Sequence, residues 1–481
     1  DDLPLCYDSI SVGERIHRVD GITGIKCTYN EMTVKSVKCA YWLKKQGIQS
    51  GDIVGICVGN TMDVYIPLFA TFYINGIVNT WDDDLTISEY FLSLTRPKIV
   101  FVNAHSVGSL REAAKQEDLR VKLVVFEELA ESESLMDVLR SEENAELEKF
   151  ECTRIASPED TCMICCSSGT TGLPKGTEIS HFSLTNYMNF IDVMNMRDHI
   201  IVCLPPVRWH YGISVIVKAV LDNAPRIVID HYLDTETLCQ VIEKYKVSLY
   251  NLLSKYPMLS LKVCLSGGSP FKAEHQTVAR KQLPHTTIVQ TYGNPSLFTC
   301  HSDGKAGSCG PVVKGVNLKL VDRETGKLVG PNNTGEIWIK SPYVMKSYYN
   351  NPEACKELID QDGYVHSGDV GYYDENGELF IVGRISEFVI YKSINVPPAP
   401  IEAFLEKHPA VLEAAVVGVP HEIDDELPIA FVRRMPGKKV KDNTSFKLRG
   451  GLVFVNDFPR TATGKLSRKR LKDIAQVLWK Q

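Results

Sequence analysis

Ten residues at 167–176, Ser-Ser-Gly-Thr-Thr-Gly-Leu-Pro-Lys-Gly, constrain the fold of this chain more than any other stretch. They follow an apolar run at residues 161–166 that is typical of a buried strand. Glycine, serine and threonine do not build a hydrophobic core, but their backbone N–H groups and hydroxyls can surround an anion. Lys175 adds a positive charge that suits phosphate oxygens. The sequence therefore predicts a strand that leads into a phosphate-binding loop.

The spacing of this loop differs from that of a P-loop, because Pro174 stands where the second glycine of the Walker pattern would be. A flexible, solvated loop is the alternative interpretation of a stretch rich in glycine and serine. The complete run resembles the phosphate-binding loop of the adenylate-forming superfamily, which includes acyl-CoA synthetases, aryl-CoA ligases and beetle-type luciferases. The resemblance implies that ATP or AMP is bound by Ser167, Ser168, Gly169, Thr170, Thr171, Gly172 and Lys175.

The composition is that of a soluble globular protein, with 44% hydrophobic and 23% charged residues. A chain of 481 residues exceeds what one ordinary core holds, so two or more domains are expected. The net charge of −6 argues against a nucleic-acid-binding protein. No apolar run reaches the roughly 18 residues of a membrane span, so we expect no transmembrane segment.

The cysteines and the chain ends indicate in which cellular compartment the protein is expected. Fourteen cysteines are scattered without two C-x-x-C pairs at zinc-site spacing, and we expect most to be buried in a reducing compartment. The first residues lack the pattern of a secretory signal, and the last three are not Ser-Lys-Leu. We therefore predict an intracellular protein, either cytoplasmic or peroxisomal.

Strand-like and helix-like patterns alternate along the first part of the chain. Thr28 and Glu31 have the spacing of a capping box at the start of a helix, and Gly47 is expected to end it. Apolar runs at residues 53–58 and 98–103 are typical of buried parallel strands. These patterns predict an α/β fold built from stacked sheets.

The predicted chain has two domains. Apolar and polar residues alternate at residues 317–340, which predicts a β-rich subdomain of the large domain. Residues 383–384, Gly-Arg, resemble the hinge of the superfamily. We therefore expect a large N-terminal AMP-binding domain at residues 1–383 and a small, mobile α+β C-terminal domain at residues 384–481.

Further motifs of the same superfamily place residues near the adenine and the acid. A turn and a strand end are implied to pack against the adenine, namely Gly267, Gly268, Ser269, Pro270, Tyr292 and Gly293. The resemblance also implies that His210 lines the acid pocket close to the adenylate. A structural histidine held by hydrogen bonds is the alternative interpretation of His210.

The ribose and the α-phosphate are the remaining parts of the nucleotide. Asp369 is implied to accept hydrogen bonds from both ribose hydroxyls, for which a carboxylate is a suitable bidentate acceptor. A turn aspartate that bonds its own backbone is the alternative. Arg384 is implied to reach the ribose or the phosphates. Lys465, on a mobile loop, is implied to bind the carboxylate and the α-phosphate, so Lys465, Lys175 and His210 are the predicted catalytic residues.

The chain departs from the superfamily pattern after Tyr292. The threonine and glutamate of Tyr-Gly-x-Thr-Glu are Pro295 and Ser296 here. Because a neutral hydroxyl is a poorer ligand for a hard cation than a carboxylate, we predict that Mg²⁺ is weakly held. We assign no metal-ligating residue in this chain.

A second departure lies on the CoA side of the motifs. The lysine, glycine and glutamate of the superfamily are Ile390, Ser393 and Pro400 here. Three prolines within residues 396–400 are expected to stiffen a segment that rotates. We therefore predict that CoA accepts the acyl group, and that this thioester-forming reaction is slow.

Two functional hypotheses follow from these motifs. The first is an ATP-dependent, AMP-forming ligase of a fatty or aryl carboxylate, with a luciferase-like oxidation of the adenylate as its variant. The second is a catalytically impaired protein that binds a nucleotide and a hydrophobic acid. An NAD(P) oxidoreductase is excluded because no Gly-x-Gly-x-x-Gly follows a strand.

Overall fold

Twenty-five strands and twelve helices form the described part of this protein, whose structure is a computed structural model. It describes residues 16–81, 85–167, 175–191, 196–202, 204, 206–229, 235–250, 260–268, 271, 273–293, 297–301, 305–342, 344–392, 394–437, 448–460 and 466–479. The chain divides into two units, residues 1–268, 277–303 and 341–359 in the first and residues 269–276, 304–340 and 360–481 in the second. The mixed α/β architecture confirms the predicted fold class.

The strands are numbered in chain order. The first fifteen are β1 (Ile16–Asp20), β2 (Lys26–Thr28), β3 (Ile53–Cys57), β4 (Ile77–Trp81), β5 (Ile99–Val102), β6 (Lys122–Val125), β7 (Glu133–Ser134), β8 (Thr161–Ser167), β9 (Lys175–Ser180), β10 (Ile201–Val202), β11 (Arg226–Val228), β12 (Leu249–Tyr250), β13 (Val263–Ser266), β14 (Thr287–Gly293) and β15 (Leu297–His301). The others are β16 (Asn317–Val321), β17 (Gly335–Lys340), β18 (Ser347–Tyr348), β19 (Val365–Tyr373), β20 (Leu379–Arg384), β21 (Val389–Tyr391), β22 (Ile394–Val396), β23 (Val411–His421), β24 (Asp425–Arg434) and β25 (Leu452–Val455).

The helices are numbered in the same way. They are α1 (Tyr29–Lys45), α2 (Tyr65–Tyr73), α3 (Leu85–Thr95), α4 (Val107–Gln116), α5 (Leu135–Ser141), α6 (His181–Ile191), α7 (His210–Leu221), α8 (Thr235–Tyr245), α9 (Ala273–Gln282), α10 (Pro352–Leu358), α11 (Pro398–Glu406) and α12 (Arg468–Trp479).

Helix α1 begins where the sequence predicts, because Thr28 and Glu31 form a capping box. The Glu31 backbone N–H donates to the Thr28 hydroxyl at 3.2 Å, and the Thr28 backbone N–H donates to the Glu31 carboxylate at 2.7 Å. Buried Met32 and Leu43 place one face of the helix in the core. Gly47, with a φ of 82°, follows the helix in the left-handed conformation that ends many helices.

Glu31 gives the start of α1 a pH dependence. The hydrogen bond from the Thr28 backbone N–H lowers the pKa of Glu31 from its ordinary value of 4.5. A lowered pKa stabilises the folded state above the ordinary pKa, and this stabilisation is lost as the pH falls through the folded-state pKa. We therefore expect Glu31→Gln to cost about 0.5 kcal/mol at pH 7. Thermal unfolding from pH 7 to pH 4 should show the cost shrinking below pH 4.5, and a constant cost would contradict this.

Two eight-stranded sheets organise the first unit. One has the order β15-β14-β13-β12-β10-β11-β1-β2, and the other has the order β18-β9-β8-β4-β3-β5-β6-β7. Strands β10 to β14 pair in parallel, as do β8, β4, β3, β5 and β6. Helices connect several consecutive parallel strands in the described ranges, for example α2 between β3 and β4 and α7 between β10 and β11. Their carboxyl ends therefore lie along common edges of the sheets.

The second unit contains two smaller sheets. Strands β16, β17, β19 and β20 form an antiparallel sheet, which confirms the β-rich subdomain predicted at residues 317–340. The other sheet has the order β22-β21-β24-β23, with β25 parallel to β24, and α12 packs on it through Leu471 and Ala475. Because both sheets fall in one unit, the predicted division into residues 1–383 and 384–481 stays a prediction.

The prolines at residues 396–400 begin a helix. Pro397 is the N-cap of α11, and Pro398 and Pro400 lie in its first turn. The first turn of a helix tolerates proline because its N–H groups have no partner within the helix. Our interpretation of this stretch as a stiffened linker did not include the helix, and its effect on a rotation stays a prediction.

The described cysteines mostly behave as small hydrophobic residues. Eight of the nine free cysteines in the described ranges are buried. Burial raises the pKa of the Cys309 thiol to about 12, which keeps it protonated and unreactive. Cys152 is an exception that the sequence did not predict, because it is disulfide-bonded. None of the helices in the described part combines the length and apolar character that a membrane crossing needs.

Candidate active site

The predicted phosphate loop joins two neighbouring strands of the first unit. Ser167 ends β8 and pairs with Lys175, which begins β9. Strand β8 runs parallel to β4 beside it, so the loop leaves the sheet at a carboxyl end. The carboxyl ends of parallel strands are where α/β proteins bind their ligands. The strand predicted before the motif is therefore confirmed as β8, and the predicted loop at residues 168–174 lies outside the described residues.

Lys175 has surroundings that the sequence did not predict. Its Nζ lies 4.8 Å from the centroid of the Tyr348 ring, because β18 pairs with β9. The Tyr349 backbone N–H donates to the carbonyl of Gly176 at 2.8 Å. A Cβ at Gly176 would lie 3.0 Å from Ile164 Cγ2, so the strand passes close to its neighbour. These contacts fix the backbone at Lys175 where the loop ends.

The glycine turn after β13 needs its glycines for two different reasons. A Cβ on Gly267 would lie 2.4 Å from Thr291 Oγ1, which real structures do not tolerate. Gly268 has a φ of 79°, which L-residues rarely adopt. The Thr291 hydroxyl in turn donates to the carbonyl of Ser266 at 3.3 Å. The turn therefore holds its backbone close to β14 at the carboxyl end of β13.

We expect Gly267→Ala to weaken ATP binding by roughly tenfold, because one displaced side chain misplaces the whole turn. The new methyl group displaces Thr291, which belongs to the strand carrying Tyr292. Calorimetric titration of ATP measures the effect. The double variant Gly267→Ala/Thr291→Ala removes the colliding hydroxyl and should recover part of the affinity. Equal affinities of the unmutated protein and Gly267→Ala would show that this turn does not face the nucleotide.

His210 follows strand β10 of the first sheet, and Tyr292 lies at the carboxyl end of strand β14 of the same sheet. His210 is buried and is the first residue of α7, the helix that follows β10. Tyr292 is half-buried near the end of β14, and Gly293, which ends the strand, is exposed. Pro295 and Ser296 lie outside the described residues. The two strands involved, β10 and β14, belong to the same sheet and are separated in it by β12 and β13.

The ribose-binding candidates of the second unit form an ion pair. Asp369 on β19 lies opposite Arg384 on β20, and Arg384 Nε donates to Asp369 Oδ1 at 2.8 Å. The Asp369 backbone N–H donates to the Ser367 hydroxyl at 3.0 Å, and that hydroxyl donates to the carbonyl of Ile337 at 2.7 Å. The carboxylate is therefore held by its neighbours in a defined orientation. The alternative interpretation, in which Asp369 is a turn residue that bonds its own backbone, does not fit, because Asp369 lies within strand β19.

Sequence reasoning predicted these two residues separately and missed their pairing. The two residues face each other because a register shift between Val370 and Gly371 offsets the β19–β20 pairs. The hairpin spacing in the sequence does not reveal that shift. The charge-assisted hydrogen bond from Arg384 to Asp369 Oδ1 orients the carboxylate.

The remaining predicted residues divide into two groups. Ile390 is described, and its side chain is 47% exposed on β21 while its backbone N–H donates to Glu426 Oε2 at 2.8 Å. The others lie outside the described residues, namely Ser168, Gly169, Thr170, Thr171, Gly172, Ser269, Pro270, Pro295, Ser296, Ser393 and Lys465. Within the described ranges, no three His, Cys, Asp or Glu side chains come together as a metal site.

Comparison with known proteins identifies the family. Residues 12–349 match the AMP-binding enzyme family, and residues 400–465 match the C-terminal domain of AMP-binding enzymes. A 4-coumarate–CoA ligase of Humulus lupulus is 31% identical, over 98% of this chain and 93% of that protein. A luciferin 4-monooxygenase of Photuris pensylvanica is 30% identical, over 93% of this chain and 89% of that protein.

Solved structures agree with this result. ATP-bound MatB from Rhodopseudomonas palustris has a TM-score of 0.88 at 23% identity, over 98% of each chain. The luciferase-like enzyme of the nonluminescent mealworm Zophobas morio has a TM-score of 0.72 at 27% identity, over 78% of this chain and 93% of that chain. The first likeness establishes the fold, while the family match covers well over half of the sequence. The chain therefore belongs to the AMP-binding enzyme family, within the adenylate-forming superfamily of the luciferases and 4-coumarate–CoA ligases.

Proposed function

We propose that this protein activates a fatty or aryl carboxylate with ATP and forms the acyl-adenylate. The observation that carries the proposal is the fixed Asp369–Arg384 pair, with Arg384 Nε 2.8 Å from Asp369 Oδ1. It suits a ribose that presents two hydroxyls to a carboxylate. The family membership supports the same nucleotide, and Lys175 follows the loop that we assign to the phosphates.

In the proposed reaction, a carboxylate oxygen of the acid bonds to the α-phosphorus of ATP as the bond to pyrophosphate breaks. Lys175 and Lys465 stabilise the negative charge that develops on the phosphate oxygens. The Gly267–Gly268 turn and Tyr292 pack on the adenine, and His210 lies beside the acid. After the domain at residues 384–481 rotates, the CoA sulfur bonds to the acyl carbonyl carbon, the acyl–phosphate bond breaks and AMP leaves.

The acid class is supported by the relatives. They are named as 4-coumarate–CoA ligases and luciferin 4-monooxygenases, and one structural neighbour is bound to anthranoyl-AMP. These names refer to 4-coumarate, anthranoyl and luciferin groups. We therefore propose that the pocket beside His210 binds a fatty or aryl acid.

The second candidate function is a binding protein that turns over slowly or not at all. The observation that favours it is the exposed, uncharged Ile390 where the superfamily has a lysine. Pyrophosphate release with a panel of fatty and aryl acids separates the two functions. Release that depends on one class of acid supports the ligase. ATP binding in calorimetry without release by any acid supports the binding protein.

Ser296 leads us to expect an abnormal dependence on Mg²⁺. We propose that the ion is held mainly by phosphates and water, because a hydroxyl is a weak ligand for a hard cation. Ser296→Glu, alone or with Pro295→Thr, should raise pyrophosphate release by about tenfold at limiting Mg²⁺. Titration of Mg²⁺ measures the change, with Ser296→Gln as the neutral control of similar size. A fast unmutated protein that neither change affects would contradict this assignment.

A further inference from the structure

Arg468, the first residue of α12, bonds two acidic side chains and one carbonyl of the second unit. Its side chain is only 16% exposed. Its Nη1 and Nη2 donate to the two carboxylate oxygens of Glu402 at 2.6 and 3.2 Å. Nη1 also donates to the carbonyl of Val416 at 2.9 Å, and Nε donates to Glu387 Oε2 at 3.0 Å. This arrangement fixes the guanidinium in one plane, as a bidentate pair does.

Arg468 also lies next to the loop that carries Lys465. The predicted loop itself, at residues 461–465, lies outside the described residues, but the residues on its two sides are paired. Arg460 and Leu466 form a β-bridge, and the Ser467 backbone N–H donates to the carbonyl of Pro459 at 2.8 Å. On the side before the loop, Arg460 Nη2 donates to Glu413 at 3.2 Å. On the side after it, Arg468 makes the bonds to Glu402 and Glu387. Each side of the loop therefore ends in an arginine held by a carboxylate.

The bond to Glu387 connects this loop with the ribose-binding strand. Glu387 ends the short 3₁₀ turn that directly follows β20, and it lies three residues after Arg384. Arg468 lies three residues after Lys465. The Arg468–Glu387 ion pair therefore links the segment just after Arg384 with the segment just after Lys465. Glu402, by contrast, is buried and accepts the Val416 backbone N–H at 2.8 Å, so it serves the packing of α11 on β23.

We propose that Arg468, through Glu387, is a positioning residue for adenylate formation, an inference that rests on the function proposed above. It sets the base of the Lys465 loop relative to the strand end that carries Arg384. A displacement of about 1 Å at a reacting group is enough to slow a reaction strongly. Glu387 is 38% exposed, and exposed ion pairs contribute little to folding stability. Its removal therefore tests positioning with little effect on folding.

The experiment measures steady-state pyrophosphate release and thermal unfolding of the full chain. Glu387→Gln should lower kcat roughly tenfold, change the KM for ATP by less than about twofold and leave the Tm nearly unchanged. Glu387→Asp keeps the carboxylate and should recover much of kcat. Lys472→Gln is the matched control, because Lys472 lies on the same helix and pairs with Glu426 at 3.5 Å. Its kcat should equal that of the unmutated protein.

Hydrogen exchange of residues 459–470 provides a readout that does not need turnover. Glu387→Gln should speed exchange there, including at the Ser467 N–H, whereas Lys472→Gln should not. Unchanged exchange in Glu387→Gln overturns the inference, and so does a kcat loss that Lys472→Gln reproduces. If the unmutated protein releases no pyrophosphate, this result contradicts the proposed function and not the role of Arg468. Hydrogen exchange in Glu387→Gln then tests by itself whether Arg468 holds the segment at residues 459–470.

Discussion

Asp369→Ala is expected to weaken the binding of ATP and of AMP by roughly 10- to 100-fold, because a hydrogen bond to a charged group is worth about 1.5–3 kcal/mol. The variant loses the acceptor that we assign to the ribose hydroxyls. It also removes the partner that Arg384 Nε contacts at 2.8 Å, so the guanidinium loses its orientation. Isothermal titration calorimetry with ATP and AMP measures both effects.

The control for this prediction is Asp374→Asn. Asp374 follows β19, is buried to the same degree as Asp369 and pairs with Lys305, so its loss removes a comparable ion pair from the same hairpin. It should leave the affinity for ATP unchanged. Asp369→Asn, which keeps the size of the side chain, should behave like Asp369→Ala. If Asp369→Ala binds AMP as tightly as the unmutated protein, the assignment of the ribose to this pair is wrong.

Ile390→Lys is expected to raise the rate of acyl-CoA formation from preformed acyl-adenylate on the order of 100-fold. A positioned cation stabilises the charge that develops at a thioester transition state by a few kcal/mol. The side chain of Ile390 is 47% exposed, so a lysine fits without displacing the core. The measurement supplies acyl-adenylate and CoA and follows acyl-CoA over time. Adding Ser393→Gly to Ile390→Lys should raise the rate further.

Ile394→Lys is the matched control for the thioester step. Ile394 is also exposed and lies on β22, the strand paired with β21, but it is opposite Tyr391 rather than Ile390. It therefore adds the same charge to the same hairpin at a different place. Rapid acyl-CoA formation by the unmutated protein, with no gain from Ile390→Lys, would show that the thioester step does not depend on this position.

Much of the fold was predictable because its signals are local. The capping box of Thr28 and Glu31 gave the start of α1 correctly, and the apolar run at 53–58 is β3. Pairing between distant strands was not predictable. Strand β1 runs parallel to β11, which is far away in the sequence, and no periodicity encodes that partner. The helix that the prolines at residues 397–400 begin was not predicted, although the first turn of a helix accepts proline.

In the candidate site too, local features were predictable from the sequence, whereas contacts between distant strands were not. A motif predicted the glycine turn at Gly267, where the close approach of Thr291 requires glycine. The loop predicted before Lys175 lies outside the described residues. The motifs did not predict the aromatic neighbour of Lys175 or the pairing of Asp369 with Arg384. Those contacts depend on strand partners and on a register shift, which arise only when the sheets assemble.

Mass spectrometry of the products after incubation with ATP, Mg²⁺, CoA and a mixed library of fatty and aryl acids tests directly whether this protein activates an acid with ATP. We expect the adenylate of one class of acid to accumulate, with little of the corresponding acyl-CoA. Rapid formation of acyl-CoA would contradict the proposed weakness of the thioester step. The absence of any adenylate, together with no ATP binding in calorimetry, would contradict the central claim that this protein activates an acid with ATP.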